Sequence, residues 1–217
     1  MLTTYEKLFL LALDEEKGNP ILFAKKTLGH ALSASILVEL TMLGKINCNE
    51  KRRLELKDAA LTQNQVFDDV IKEIKSSEKP RRISYWISQL SSRPKILREK
   101  IGENLILSDI LYQEEKRLYW KTKPEDSTDP AAIKFNIKNP LRLMILTSAE
   151  DELSNLSLLT VLSASGLLNL VFTLDEIPLA QKRIHEKIVR KSLEDPIVET
   201  IQNIEQGLVT SLEDDTD

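Results

Sequence analysis

The stretch Ser77–Lys121, SEKPRRISYWISQLSSRPKILREKIGENLILSDILYQEEKRLYWK, decides how this chain is read. It holds both tryptophans, Trp86 and Trp120, and one complete helix-then-hairpin unit. Ser84 to Leu90 reads as a helix start, with Ser84 placed to cap it and Trp86, Ile87 and Leu90 on one side. A second helix follows Pro94, with Lys95, Arg98 and Lys100 beside Ile96, Leu97, Ile101 and Leu105. Between Lys72 and Lys100 stand nine Lys/Arg against three Glu, on a chain whose net charge is -4. Positive charge held on a folded face suits phosphate, on lipid headgroups or nucleic acid.

Outward from that stretch the pattern stays helical. Thr3 and Glu6 form a capping box ahead of Leu8, Leu11 and Ala12, and Gly18-Asn19-Pro20 breaks the run. Leu28, Leu32, Ile36, Leu40 and Leu43 recur on one helical face, and Gly44 is the natural stop. The period then switches to two, so that residues 45–47 and 53–57 predict a hairpin. The same helix-plus-hairpin order returns 64 residues later, Arg53, Leu54 and Lys57 matching Arg117, Leu118 and Lys121. Gln65–Ser76 is an amphipathic helix, Lys121–Pro130 a loop, Pro140 the start of another helix, and Leu179–Leu193 a basic amphipathic one. Leu153–Leu174 carries no charge over 22 residues, but only 13 are apolar. A membrane span needs about 20 predominantly apolar residues, so a buried core helix is expected, running to Phe172.

The expected fold class is mainly α, a helical bundle core with peripheral amphipathic helices and two small β-hairpins. One domain covers residues 1–193. Residues 194–217 form an acidic C-terminal helix or tail, with eight acids and no Lys or Arg, leaving 30 cations against 26 acids elsewhere. Such a run is read as a solvated tail or, more sharply, as a shield for the basic face. The single Cys48 cannot form an internal disulfide, and the N-terminus has neither a basic leader nor a small-residue cleavage site, so a cytoplasmic setting is expected.

Enzyme chemistry finds little support. His30 and His185 lie on different helices, and there is no phosphate-cradling glycine loop, zinc spacing or calcium loop. Neither a cofactor nor a metal site is expected. The cations Lys79, Arg81 and Arg82 are read either as a solvated helix approach or as headgroup ligands. Trp86 fits a core position. Trp120 fits the core or, beside Tyr119 and Lys121, a membrane-interface aromatic.

Ser77-Glu78-Lys79-Pro80, Trp86-Ile87, Leu90-Ser91, Leu97-Arg98-Glu99 and Asn104-Leu105 resemble the Golgi phosphoprotein 3 family. Further similarity lies in Leu10-Leu11, Lys17-Gly18, Val38-Glu39-Leu40, Gly44-Lys45-Ile46, Ala164-Ser165, Phe172 and Ala180 to Ile184. The resemblance implies a mainly helical, peripheral membrane protein that binds phosphatidylinositol 4-phosphate and recognises cytoplasmic protein tails. Its eukaryotic members grip the headgroup with a tryptophan, an arginine nine residues later, and two arginines three apart. Those positions fall here on Ala24, Ser33, Lys95 and Arg98. Only Arg98 is kept, which resembles the bacterial members more than the Golgi ones, and lysine lacks arginine's planar fork. The expected headgroup site is therefore Lys95, Arg98, Arg93, Arg81 and Arg82, with Lys25, Lys26 and His30 near enough in sequence to compensate.

The resemblance also implies self-association through the first hairpin, here with Ile46, Leu54 and Leu56. The leading expectation is reversible docking on anionic membrane, at the Golgi cytosolic face if the source is eukaryotic. An adaptor for protein partners is the alternative. A winged-helix nucleic-acid binder comes third, opposed by the acidic hairpin turn Gln113-Glu114-Glu115, where a wing would meet phosphate.

Overall fold

The computed structural model describes residues 2–115, 117–120, 129–147, 149–150 and 152–215. Among them are nine α-helices and five short strands. The helices are α1 Thr4–Ala12, α2 Leu28–Met42, α3 Gln65–Ser76, α4 Ile83–Ser91, α5 Pro94–Leu107, α6 Pro130–Leu146, α7 Leu153–Ala164, α8 Ile177–Ser192 and α9 Pro196–Asp214. The strands are β1 Ile46–Cys48, β2 Arg53–Leu56, β3 Arg81–Arg82, β4 Leu111–Glu114 and β5 Arg117–Trp120. The fold is mainly α, as composition and periodicity predict.

Helix α2 is the axis of the bundle. It is apolar on every side, the signature of a helix with no solvent face, and packs against α1, α4, α7 and α9. Ala31, Ser33, Ala34 and Ser35 are fully buried. The Ser33, Ser35 and Thr41 hydroxyls donate to carbonyls one turn back, each at 2.9 Å, so no polar group in this close-packed face goes unpaired. Helix α1 begins at the expected capping box: the Glu6 amide donates to Thr3 Oγ1 at 3.4 Å and the Thr3 amide to Glu6 Oε2 at 2.9 Å. At the other end of α2, Gly44 has φ +68°, which turns the chain into β1.

Strands β1, β2 and β3 form an antiparallel sheet in that order, with Arg53 opposite Arg82 and Leu54 opposite Arg81. Strands β4 and β5 form the second hairpin, with Leu111 opposite Trp120. Two residues that seemed only to approach a helix are thus a third strand. A strand this short has no period to read, and extended backbone at Arg82 runs straight into α4. That pairing moves the helix start to Ile83, so Ser84 lies inside the first turn rather than capping it.

Three further boundaries differ from the sequence reading. Helix α6 begins at Pro130, where Asp129 accepts the Ala131 amide at 3.1 Å, and Pro140 sits within the helix. Proline at a first helical position is as natural as one at the predicted start, so sequence alone did not separate them. Helix α7 stops at Ala164, because Gly166 at φ +71° turns the chain; Leu167, Leu168, Leu170, Val171 and Phe172 stay buried around a 3-10 turn, Leu168–Leu170. The segment after residue 193, expected as a helix or tail, forms α9, which runs on to Asp214 and whose Val198, Ile201, Ile204 and Leu208 are buried against α2, α4, α7 and α8. Its apolar stripe is an integral wall of the bundle. At Gly207 a Cβ would stand only 2.6 Å from Ile83 Cγ2, which measures how closely α9 crosses the start of α4. The loop expected over Lys121–Pro130 lies mostly outside the described residues.

Candidate functional site

The five cations expected to form one headgroup site fall at two ends of α4. Nine helical residues span about 14 Å, and that length separates Arg81-Arg82 at its start from Arg93, Lys95 and Arg98 beyond its end.

At the far end lies a cavity of about 210 Å³ lined by Pro20, Lys25, Leu28, Gly29, Leu32, Pro94 and Arg98. The first turns of two helices supply its walls: Leu28 and Gly29 open α2, and Pro94 opens α5. A Cβ on Gly29 would stand 3.8 Å from Pro94 Cβ, so these helix starts meet face to face. Neither start has a side-chain cap. Thr27, at the cap position of α2, keeps a buried Oγ1 with no hydrogen-bond partner among the described residues. Uncapped helix N-termini carry unsatisfied amides and partial positive charge, and they attract anions. Arg98 Nε donates to the Pro94 carbonyl at 3.2 Å, which fixes the guanidinium along α5. Arg93 and Lys95 are exposed at the same helix start and do not line the cavity.

The family-pattern positions behave differently. Ala24 and Ser33 are fully buried, and Ser33 Oγ is engaged with the Gly29 carbonyl. Lys25 enters the cavity from a 3-10 turn, Leu22–Ala24, whose Leu22 and Phe23 are 81% and 47% exposed. Lys26 is exposed outside it. His30 packs behind the cavity wall with Nε2 3.0 Å from Asp215 Oδ2, outside hydrogen-bond alignment. Burial holds the imidazole below its ordinary pKa, and Asp215 partly opposes this. Lys100 is drawn away by an ion pair with Asp69, which also lies 3.8 Å from Lys72, so the basic stretch is partly neutralised by α3.

At the near end of α4, Arg81 and Arg82 line a different cavity, of about 440 Å³, with Arg53, Ser84, Tyr85, Ser88 and Asp214. Both tryptophans are core residues, each 4% exposed, and Lys134 Nζ lies 5.6 Å over the Trp120 ring. Ile46 and Leu54 are each 2% exposed and face the protein's own core, while Leu56 is half-buried. Their side chains are engaged within one chain, because β2 is the central strand and lies over α3. Burial pushes the Cys48 thiol up to about 11, which leaves it protonated at neutral pH.

Sequence reasoning missed three features: the exposed Leu22 and Phe23 in the turn that leads to Lys25, the two uncapped helix starts, and Arg53. The first was visible as an apolar pair one residue ahead of Lys25-Lys26. The others depend on which helix ends meet and which strands pair, and no local pattern records that.

Among the described residues no helix is long and apolar enough to cross a membrane, and no group of three His, Cys, Asp or Glu is placed to hold a metal ion. The chain is similar to the vacuolar protein sorting-associated protein 74 of Eremothecium gossypii, at 24% identity over 172 residues, covering 70% of this chain and 51% of the relative. It therefore spans about half the length of that curated relative. The sequence pattern of the family described as Golgi phosphoprotein 3 (GPP34) matches residues 5–204, from α1 into α9. By that match across nearly all of its helices, the chain belongs to the Golgi phosphoprotein 3 family.

Proposed function

We propose that this chain is a non-enzymatic peripheral membrane protein that docks on an anionic lipid headgroup, of the phosphatidylinositol 4-phosphate kind, through the cavity between the starts of α2 and α5. One observation carries the reading: two uncapped helix starts, Lys25 and Arg98 converge on one small cavity beside the exposed Leu22 and Phe23. The helix ends and cations supply attraction to phosphate. The apolar pair supplies surface that gains by entering the acyl boundary. Arg93 and Lys95 lie outside the cavity and add long-range attraction to an anionic surface.

With Ala24 and Ser33 in place of an aromatic and a guanidinium, the grip is looser than the family pattern implies. The docking is reversible and, in a eukaryotic cell, addressed to the cytosolic face of the Golgi. Vesicle binding tests this, with phosphatidylinositol 4-phosphate, phosphatidylglycerol or neutral lipid alone, for the full chain and for Lys25→Ala and Arg98→Ala. Binding to anionic vesicles that drops in both variants is expected. Equal absence of binding to every vesicle at low salt would refute it and favour an adaptor that meets protein partners alone.

A further inference from the structure

The groove at the start of α4 has a different construction. Arg53 of β2 and Arg82 of β3 stand directly opposite each other across an antiparallel pair. Like charges so placed repel. Arg53 Nη1 donates to the Pro80 carbonyl at 3.1 Å, which holds its guanidinium at the groove. Arg81 lies 5.2 Å over the Tyr85 ring, and its Nε is shielded from water with no hydrogen-bond partner among the described residues. A buried donor on a cation without an acceptor is costly. Ser84 and Ser88 line the same cavity, as does Asp214 at the end of α9, and among the described residues no ion pair joins Asp214 to the three arginines.

We propose that this groove is a second anion site, separate from the Lys25–Arg98 cavity, that takes a phosphoryl group. Three guanidiniums and two hydroxyls offer more donors than a carboxylate has oxygens to accept, whereas a terminal phosphoryl group brings three oxygens and close to two charges. Arginine's planar fork matches such a group bidentately. The bound anion would relieve the Arg53–Arg82 repulsion, so ligand binding and fold stability are linked at this one place. Asp214 also lines the groove, so the anion seats against the arginines, away from its carboxylate.

The test uses pyrophosphate as a soluble probe and vesicles containing phosphatidic acid as a lipid one. Both are applied to the full chain and to Arg82→Gln, Arg81→Gln and Arg98→Gln. Calorimetric titration is expected to show a saturable pyrophosphate component in the full chain that persists in Arg98→Gln, whatever the first cavity adds, and is weakened about tenfold or more in Arg82→Gln and in Arg81→Gln. Arg82 is exposed, and Arg82→Gln removes one of two facing charges. Its ligand-free melting temperature should therefore hold or rise, while the rise that pyrophosphate gives the full chain is lost. Phosphatidic-acid binding that depends on Arg82 would place the phosphoryl group on a lipid; pyrophosphate binding alone would place it in solution. Absence of saturable binding to both probes, or binding that follows Arg98 and ignores Arg82, would overturn the proposal. The headgroup reading stands or falls on Lys25 and Arg98, so the two failures are distinguishable.

Discussion

The two ends of α4 carry similar charge by unlike means. Beyond its end, the Lys25–Arg98 cavity draws on backbone: two helix starts without caps, with only two cationic side chains in its lining. At its start, the Arg53–Arg81–Arg82 groove draws on side chains forced together by strand pairing, with an aromatic ring and an acid as walls. The difference teaches that a count of cations along the sequence says little about where an anion would sit. Nine Lys/Arg between residues 72 and 100 resolve into two lysines paired to Asp69, two exposed residues flanking the first cavity, the exposed Lys75 and Lys79, and three arginines in two sites about 14 Å apart along a helix.

The largest effect expected is from reversing charge at the first site. Lys25→Glu combined with Arg98→Glu should weaken binding to anionic vesicles by about a hundredfold or more, since losing two charge-assisted contacts of about 1.4 kcal/mol each accounts for a hundredfold and the new repulsion adds to it. Arg81→Gln and Arg82→Gln should change binding only slightly in the same flotation assay with phosphatidylglycerol vesicles, whose lipid carries no terminal phosphoryl group. An equal loss from both pairs would erase the distinction between the sites and restore a single basic face.

A somewhat smaller effect separates the sites by stability. Gly207→Val places atoms where α9 crosses Ile83, and a Cβ there already meets the Ser84 backbone amide at 3.2 Å. Overpacking of this kind costs about 1–3 kcal/mol in denaturant unfolding. It should loosen the groove that Asp214 closes, while vesicle binding through Lys25 and Arg98 stays close to that of the full chain. Leu22→Ser with Phe23→Ser should do the reverse. Unfolding stability should be nearly unchanged, because both side chains face solvent, and vesicle affinity should fall about tenfold through lost apolar contact.

What was legible in the sequence follows the same division. Helix α3 could be bounded to the residue from its apolar stripe and Asn64, whose side chain accepts the Val66 amide at 3.0 Å. The capping box of α1 and the Gly44 stop of α2 were equally local, and so equally readable. Arg98 was reachable through family pattern, since Leu97-Arg98-Glu99 is a contiguous motif. Its company was legible only as a set of candidates: Lys25, Lys26 and His30 stood near a lost family position, and Lys25 alone of them lines the cavity, because α2 and α5 begin side by side. Arg53 joins Arg82 only through a two-residue strand with no periodicity to betray it. The stripe Ile197, Ile201, Ile204 and Leu208 allowed a last amphipathic helix at α9, but the eight acids around it fit a solvated tail equally well, and only its packing against α2, α4, α7 and α8 decides between them.

The smallest effect concerns the point where the two regions come nearest in chain terms. His30 follows Gly29 of the first cavity, and its neighbour Asp215 follows Asp214 of the second. Burial lowers the His30 pKa in the fold from its ordinary 6.5, with Asp215 pulling the other way. Above pH 6.5 both folded and unfolded chains hold the imidazole neutral, and the group contributes nothing to the pH slope. As pH falls below that value the unfolded chain takes up the proton first, so stability declines with acidification by at most about 1.4 kcal/mol per pH unit. Arg142–Glu176, bonded through two 2.7 Å contacts, cannot mimic this: the Glu176 carboxyl is lowered to about 2, and its contribution fades only below pH 4.5. Urea unfolding of the full chain and of His30→Gln between pH 7.5 and 5.5 should therefore diverge, the full chain losing more. Parallel curves would mean that Asp215 cancels the cost of burial, and a gain in the full chain would mean that it exceeds it. In either case the end of α9 would be an electrostatic partner of α2 at the cavity wall, and the two regions would share a charge that the geometry of the described residues keeps apart.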